Sequence, residues 1–305
     1  MPRPPAILQV LPALVAGGVE RGTIEIAEAI AAAGFRPLVA SAGGPLAAEV
    51  ARVGGAHLTL PLDTKSPLGI WRNASALAAL MRVEEVAIVH ARSRAPAWSA
   101  LLAARRTGAR FLTTYHGAYN EGAPGKRLYN SVMARGERVI AISRFIAELI
   151  AARHGTPAAR IRLIPRGVDA RRFDPSAVAP AAILAQREAW GAAPGQRIVL
   201  LPARLTRWKG QSVLVEALAR LPGVIGVLAG GGNAGFAREL EDRAAALGLG
   251  GRLVLAGHLD RLDVALAAAD VVVHASTEPE AFGRTVIEAQ AMARPVIAAD
   301  LGGPR

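Results

Sequence analysis

Short apolar runs alternate along this chain with longer Ala-rich stretches of helical period. In the first half, residues 7–11, 37–40, 57–60, 87–91, 111–115, 139–142 and 162–164 read as strands. Residues 22–33, 67–81, 96–105 and 144–153 between them read as helices. After residue 190 the pattern restarts, with strand candidates at 198–201, 224–229, 253–256, 271–275 and 296–299. The runs do not alternate strictly between apolar and polar. That marks strands buried on both faces, hence parallel sheets covered by helices. Two successive series predict an α/β chain of two doubly wound, Rossmann-like domains. The boundary is expected between Pro165 and Pro194, where Pro175, Pro180 and the pair Arg171-Arg172 interrupt the periodicity. This gives a first domain over 1–175, a linker over 176–194 and a second domain over 195–305. Ligands of such sheets bind at the carboxyl ends of the strands, so the expected site lies in a cleft between the domains.

Composition narrows the chemistry. Apolar residues make up 52% of the 305, enough for two cores, and aromatics only 4%, so those cores are built of Ala, Leu, Val and Ile. Cysteine is absent, which excludes disulfides, thiolate metal sites and a cysteine nucleophile and fits a cytoplasmic setting. No apolar run approaches the ~18 residues of a spanning helix. Residues 6–16 after Arg3 have the look of a signal-peptide core, but a buried first strand running into Gly17-Gly18 explains them as well. The net charge of +12 is uneven: through Gln186 there are 23 Lys and Arg against 12 Asp and Glu, and beyond it 13 against 12. A basic first half suits an anionic partner, such as an anionic acceptor or the inner face of a membrane. Only three of the 36 cations are Lys, so a general compositional preference for Arg is the competing explanation. A nucleic-acid binder would interleave aromatics with its cations, and aromatics are scarce.

The densest chemistry lies in Glu280-Ala-Phe-Gly-Arg-Thr-Val-Ile-Glu288. The glutamates bracket a Phe-Gly pair where a loop runs into a predicted helix, 284–293. With Glu280 in the loop and Glu288 inside the helix, both can face one ligand over the helix N-terminus. The backbone N–H groups of Phe282, Gly283 and Arg284 would then meet an anion. Carboxylates suit hydroxyls and N–H groups suit phosphate, which together describe a sugar nucleotide. A helix with a solvated glutamate at each end is the competing reading.

Three further segments carry candidate chemistry. Arg204 and Lys209, followed by Gly210, lie in a loop after the strand at 198–201 and form a fork-plus-point-charge clamp for a diphosphate. Gly17-Gly18 after the first strand, and Gly230-Gly231-Gly232 after the strand at 224–229, are turns where a backbone can approach a phosphate. The Gly17-Gly18 turn does not have the Gly-x-Gly-x-x-Gly spacing of the dinucleotide fingerprint, and no acidic residue closes a second strand at the right distance to hold a ribose, which argues against NAD. His116, at the end of the strand at 111–115, would point into the site. The other histidines show no metal-ligand spacing and there is no Asp-x-Asp, so no metal and no separate cofactor are expected.

Taken together, these segments resemble the retaining nucleotide-sugar glycosyltransferases of the GT-B fold, family 4. The matching segments are Gly17-Gly18-Val-Glu-Arg21, Tyr-His116-Gly, Ala-Ile-Ser143-Arg-Phe, Ile-Pro-Arg166-Gly-Val-Asp169, Ala-Arg204-Leu with Lys209-Gly210, and 280–297, in family order over nearly the whole chain. The resemblance implies a nucleotide-sugar-dependent hexosyltransferase, independent of metal. The nucleotide-diphosphate sugar would be a co-substrate and the acceptor a saccharide or glycolipid of the cell envelope. It implies that Glu288 holds the donor ribose, Glu280 the donor sugar, and Arg204 and Lys209 the diphosphate. Gly17, Gly18, Gly231, Phe282, Gly283 and Arg284 would complete the donor site, with His116 bordering the reacting carbon. Arg21, Arg166 and Asp169 are the acceptor-side candidates. The family usually has Asn where this chain has Arg166. Family members also continue beyond Pro304, so the second domain is expected to be incomplete at its C-terminus, and an inactive remnant is one alternative. A sugar-nucleotide epimerase of the same fold is another; it would need acid and base groups at the sugar ring, for which His116 is the single candidate.

Overall fold

The computed structural model describes residues 3–15 and 17–304 and divides into two compact units, Met1–Pro165 and Arg166–Arg305. The first unit carries strands β1 (Ala6–Val10), β2 (Arg36–Ser41), β3 (Ala56–Thr59), β4 (Val86–Ala91), β5 (Arg110–Tyr115), β6 (Arg138–Ala141) and β7 (Ile161–Leu163). They form one parallel sheet in the order β3-β2-β1-β4-β5-β6-β7. Its helices are α1 (Gly18–Ala32), α2 (Ala47–Arg52), α3 (Pro67–Val83), α4 (Arg94–Thr107), α5 (Lys126–Ser131) and α6 (Arg144–His154). The chain runs one way from β1 to β3 and the other way from β4 to β7. Right-handed crossovers therefore place α1 and α2 on one sheet face and α3 to α6 on the other.

The local signals act as the sequence suggests. Ser66 caps α3 by accepting from the Gly69 N–H, with Pro67 at the first helical position, and Ser143 caps α6 through the Ile146 N–H. Gly108 and Gly155 end α4 and α6 in the left-handed conformation. The helix expected from residue 22 starts four residues earlier, so Gly17 is its cap and Gly18 its first residue.

The second unit has strands β8 (Ile198–Pro202), β9 (Ile225–Ala229), β10 (Leu253–Gly257), β11 (Val271–His274) and β12 (Val296–Ala298). Its helices are α7 (Pro180–Ala189), α8 (Gln211–Leu218), α9 (Ala234–Ala246), α10 (Leu262–Ala268) and α11 (Arg284–Ala291). The sheet is parallel, in the order β10-β9-β8-β11-β12. Two cores flank it. One holds Ile198, Leu200, Val227 and Val272, and the other Leu201, Val215, Leu228 and Leu240.

Residues 176–194 are not a free linker. Phe173, Val178 and Trp190 are buried in the core that holds Ile198 and Val272, and α7 packs on α10. Arg187 of α7 donates to the Ala268 carbonyl at 2.6 Å and pairs with Asp270 at 3.2 Å. The domain boundary accordingly moves from 175 to Pro165. The prolines that suggested a linker occupy helix starts: Pro175 opens a 3₁₀ turn and Pro180 opens α7, positions where a missing N–H costs nothing.

Candidate functional site

In the second sheet the chain reverses direction between β8 and β11, which are neighbours in space. A doubly wound sheet opens its ligand crevice at this point, at the carboxyl ends of the two strands. Lys209 and Glu280 reach it from opposite sides of the reversal.

After β8 the chain passes Arg204 and tightens into a 3₁₀ turn over Arg207–Lys209. Gly210 follows in the left-handed region at φ 77° and opens α8. A β-carbon on Gly210 would drive into the Ala275 carbonyl oxygen, so the loop after β8 lies directly on the loop after β11. The Thr277 N–H donates to the Trp208 carbonyl at 2.8 Å and ties the same two loops again. Buried Gln211 donates from Nε2 to the Arg204 carbonyl at 2.8 Å, fixing the loop from its other end.

This contact brings Lys209 Nζ within 2.6 Å of Glu280 Oε1, with side chains only 13% and 18% exposed. The ammonium also lies 4.2 Å from the centroid of the Trp208 ring. The other carboxylate oxygen, Oε2, accepts from Ser276 Oγ at 3.0 Å and from His274 Nε2. A carboxylate can only accept, so the proton of that last bond belongs to the imidazole. His274 Nδ1 is buried without a hydrogen-bond partner. Burial pushes the Glu280 carboxyl up, but the His274 hydrogen bond and the Lys209 ammonium outweigh it and hold the group at about 2. Glu280 is therefore a fixed, fully ionised carboxylate.

Glu288 lies inside α11 and Glu280 in the loop before it, the placement read from their spacing. Glu288 is buried and accepts from Arg284 Nε at 2.9 Å, one helical turn back. Gly283 caps the helix in the left-handed conformation, after the half-buried Phe282. Arg204 is exposed at the rim of the loop. Gly231 is exposed with open space where a β-carbon would be, and its carbonyl accepts from the Leu205 N–H at 3.0 Å. Its neighbour Gly230 is there for packing, because a β-carbon would strike the Ala203 carbonyl oxygen.

The remaining candidates are carried by other elements. Gly17, Gly18, Arg21 and His116 belong to the first unit, with His116 half-buried just beyond β5. Arg21 reaches from α1 to α2 and pairs with Glu49 at 2.6 Å, a tie between helices. Arg166 and Asp169 pack with the second unit. Asp169 Oδ1 accepts from the backbone N–H and Nε of Arg171, at 3.0 and 3.1 Å, and the Arg171 hydrogen bond lowers its carboxyl below the usual range. His274 and Ser276 were missing from the candidates. The signal available was position: His274 ends β11 and Ser276 follows two residues on, six and four residues before Glu280.

Two Rossmann-like units, each a parallel sheet wound in both directions, with polar residues at a strand-order reversal, define a GT-B architecture. Residues 16–172 match the family model described as Glycosyltransferase Family 4, and residues 183–305 match the one described as Glycosyl transferases group 1. The chain belongs to glycosyltransferase family 4. Among solved structures, a glycosyltransferase from Rickettsia africae ESF-5 superposes with a TM-score of 0.89 at 38% identity, over 98% of this chain and 80% of that one. Anabaena Alr3699/HepE, solved in complex with UDP-glucose, gives a TM-score of 0.83 at 26% identity, over 98% of this chain and 81% of that one. A D-inositol 3-phosphate glycosyltransferase from Xylanimonas cellulosilytica is 36% identical over 180 residues, which is 57% of this chain and 43% of that protein. The match thus spans less than half of that relative's length.

Proposed function

We propose that this chain binds a nucleoside-diphosphate sugar in its second unit and transfers the sugar to a hydroxyl acceptor with retention at the anomeric carbon. The observation that carries this reading is the Lys209–Glu280–His274–Ser276 cluster at the β8/β11 reversal. The similarity to Anabaena Alr3699/HepE, which binds UDP-glucose, supports a nucleotide-sugar donor.

An ammonium has three donors, and one of them already bonds Glu280. The other two can take diphosphate oxygens, with Arg204 at the rim supplying a forked partner. As the acceptor oxygen bonds to the anomeric carbon, the bond from that carbon to the β-phosphate oxygen breaks. The acceptor proton passes to the departing phosphate on the same face. The two cations stabilise the charge developing there, in place of a metal ion. Glu280 is already oriented by three donors and can accept a hydroxyl of the donor sugar through its remaining lone pair. Glu288 is assigned to the ribose. The acceptor is a saccharide or glycolipid, taken by the first unit; the inositol phosphate glycosyltransferases among the relatives favour a polyol with an anionic group.

Isothermal calorimetry with UDP and with UDP-glucose tests the division of roles. Glu288→Ala should weaken both ligands by about 1.5–3 kcal/mol, the worth of one charge-assisted hydrogen bond. Glu280→Ala should spare UDP and weaken UDP-glucose by a similar amount. Equal losses on both ligands for both variants would refute the assignment.

A further inference from the structure

The basic excess of the first unit is segregated by sheet face. On one face, α1 and α2 carry two arginines and four glutamates. On the other, α3, α4, α5 and α6 carry nine arginines and lysines and the single acid Glu148. The packing confirms that these four helices form one layer. Ser99 of α4 donates to the Ile70 carbonyl of α3, and Arg106 of α4 to Ser75 of α3. Arg127 of α5 donates to the Arg153 carbonyl of α6.

The charges on this layer are not neutralised. Arg82, Arg94, Arg106, Arg127 and Arg153 donate to carbonyl, hydroxyl or amide oxygens, none of them a carboxylate. The ion pairs of the first unit lie elsewhere among the described residues, at Arg3, Arg21, Arg36 and Arg52. The same layer exposes large apolar side chains: Leu68 and Trp71 on α3, 56% and 57% exposed, and Leu128 on α5, 63% exposed. Arg72 follows Trp71, and Lys126 and Arg127 precede Leu128. Cations flanking an exposed Trp and Leu make a surface that lies on a bilayer, with apolar side chains among the acyl chains and cations at anionic headgroups. No helix among the described residues is long and apolar enough to cross a membrane, so contact through this layer would be peripheral.

We propose that the α3–α6 layer is a docking face for an anionic lipid bilayer, with Leu68, Trp71 and Leu128 inserting and Arg72, Arg105, Lys126 and Arg127 meeting the headgroups. The arrangement favours lipid over nucleic acid because apolar side chains stand beside the cations, where a polyphosphate would gain nothing from Leu68 or Leu128. The proposal stands apart from the glycosyl-transfer reading, and its test uses no nucleotide.

The test is flotation of the full chain with vesicles of phosphatidylcholine alone and of phosphatidylcholine with 30% phosphatidylglycerol, at 50 and 300 mM salt. Binding should be confined to the anionic vesicles and should fall with salt. Trp71→Ser with Leu128→Ser should lower partitioning about tenfold, and Arg72→Glu with Arg105→Glu by more, since each cation at an anionic surface is worth roughly fivefold. Glu25→Lys with Glu28→Lys on the opposite face raises the net charge by as much as the two arginine reversals lower it, and should leave partitioning within about twofold. Circular dichroism melts confirm that each variant is folded. Equal binding to neutral vesicles would overturn the proposal, as would an undiminished response in the α3/α4 variants. So would retention on DNA without flotation.

Discussion

Gly210→Ala is expected to lower the melting temperature of the second unit by about 10 °C, as a loss of roughly 3 kcal/mol or more does for a unit of this size. Two costs combine. The backbone at φ 77° is unfavourable for any residue with a β-carbon, and that carbon would meet the Ala275 carbonyl oxygen. The obstacle is main chain, which no rotamer change removes. The whole loop after β8 would have to lift from the loop after β11, and Lys209 would lose its reach to Glu280. Gly231→Ala is the matching control. It has open space for a β-carbon, and its effect on stability should stay within about 0.5 kcal/mol. Calorimetric melts of the two variants beside the parent chain settle the comparison. Similar melting temperatures for Gly210→Ala and Gly231→Ala would show that the two loops are not locked together.

Lys209→Ala should destabilise the second unit by about 2–4 kcal/mol, because it leaves a largely buried carboxylate without its counter-charge. The loss falls short of full orphaning, since His274 and Ser276 still donate to Glu280. Adding Glu280→Gln should recover part of it, the coupling that a double-mutant cycle measures. Acid titration gives a second readout. The Glu280 carboxyl sits at about 2 in the folded chain against the ordinary glutamate value of 4.5. A depressed acid stabilises the fold above its unfolded value and loses that contribution as pH falls towards its folded value. The parent should therefore lose about 3 kcal/mol between pH 5 and pH 2 from this group, whereas Glu280→Gln should show a flatter profile over that window. Identical acid profiles for the two proteins would remove Glu280 from the account of stability.

Much of the fold is legible in the chain because the strand signal is strong. The twelve strands among the described residues are short and mostly apolar, and each lies within a residue or two of its expected place. The helices α2 and α5 escaped notice for a physical reason. Each is six residues long, too short to display a full amphipathic period, and is held by packing rather than by its own pattern. Proline misled over 175–194, where it starts helical turns that belong to the second core.

The two glutamates of the candidate site are legible from their spacing around Phe282-Gly283. What surrounds Glu280 is not. His274 and Ser276 reach it across a loop, and Lys209 reaches it from another strand's end. No local pattern encodes that the β8 and β11 loops touch; the contact depends on Gly210 accepting a conformation and a proximity that other residues cannot.

The most direct test of the central claim is a calorimetric screen of the parent chain and Lys209→Met against UDP-, GDP- and ADP-sugars, with EDTA present throughout. The account predicts saturable, one-to-one binding of at least one of these donors by the parent, and at least about tenfold weaker binding of that donor by Lys209→Met. No binding of any of the three, or equal binding by the two proteins, would contradict a nucleotide-sugar site at the β8/β11 reversal.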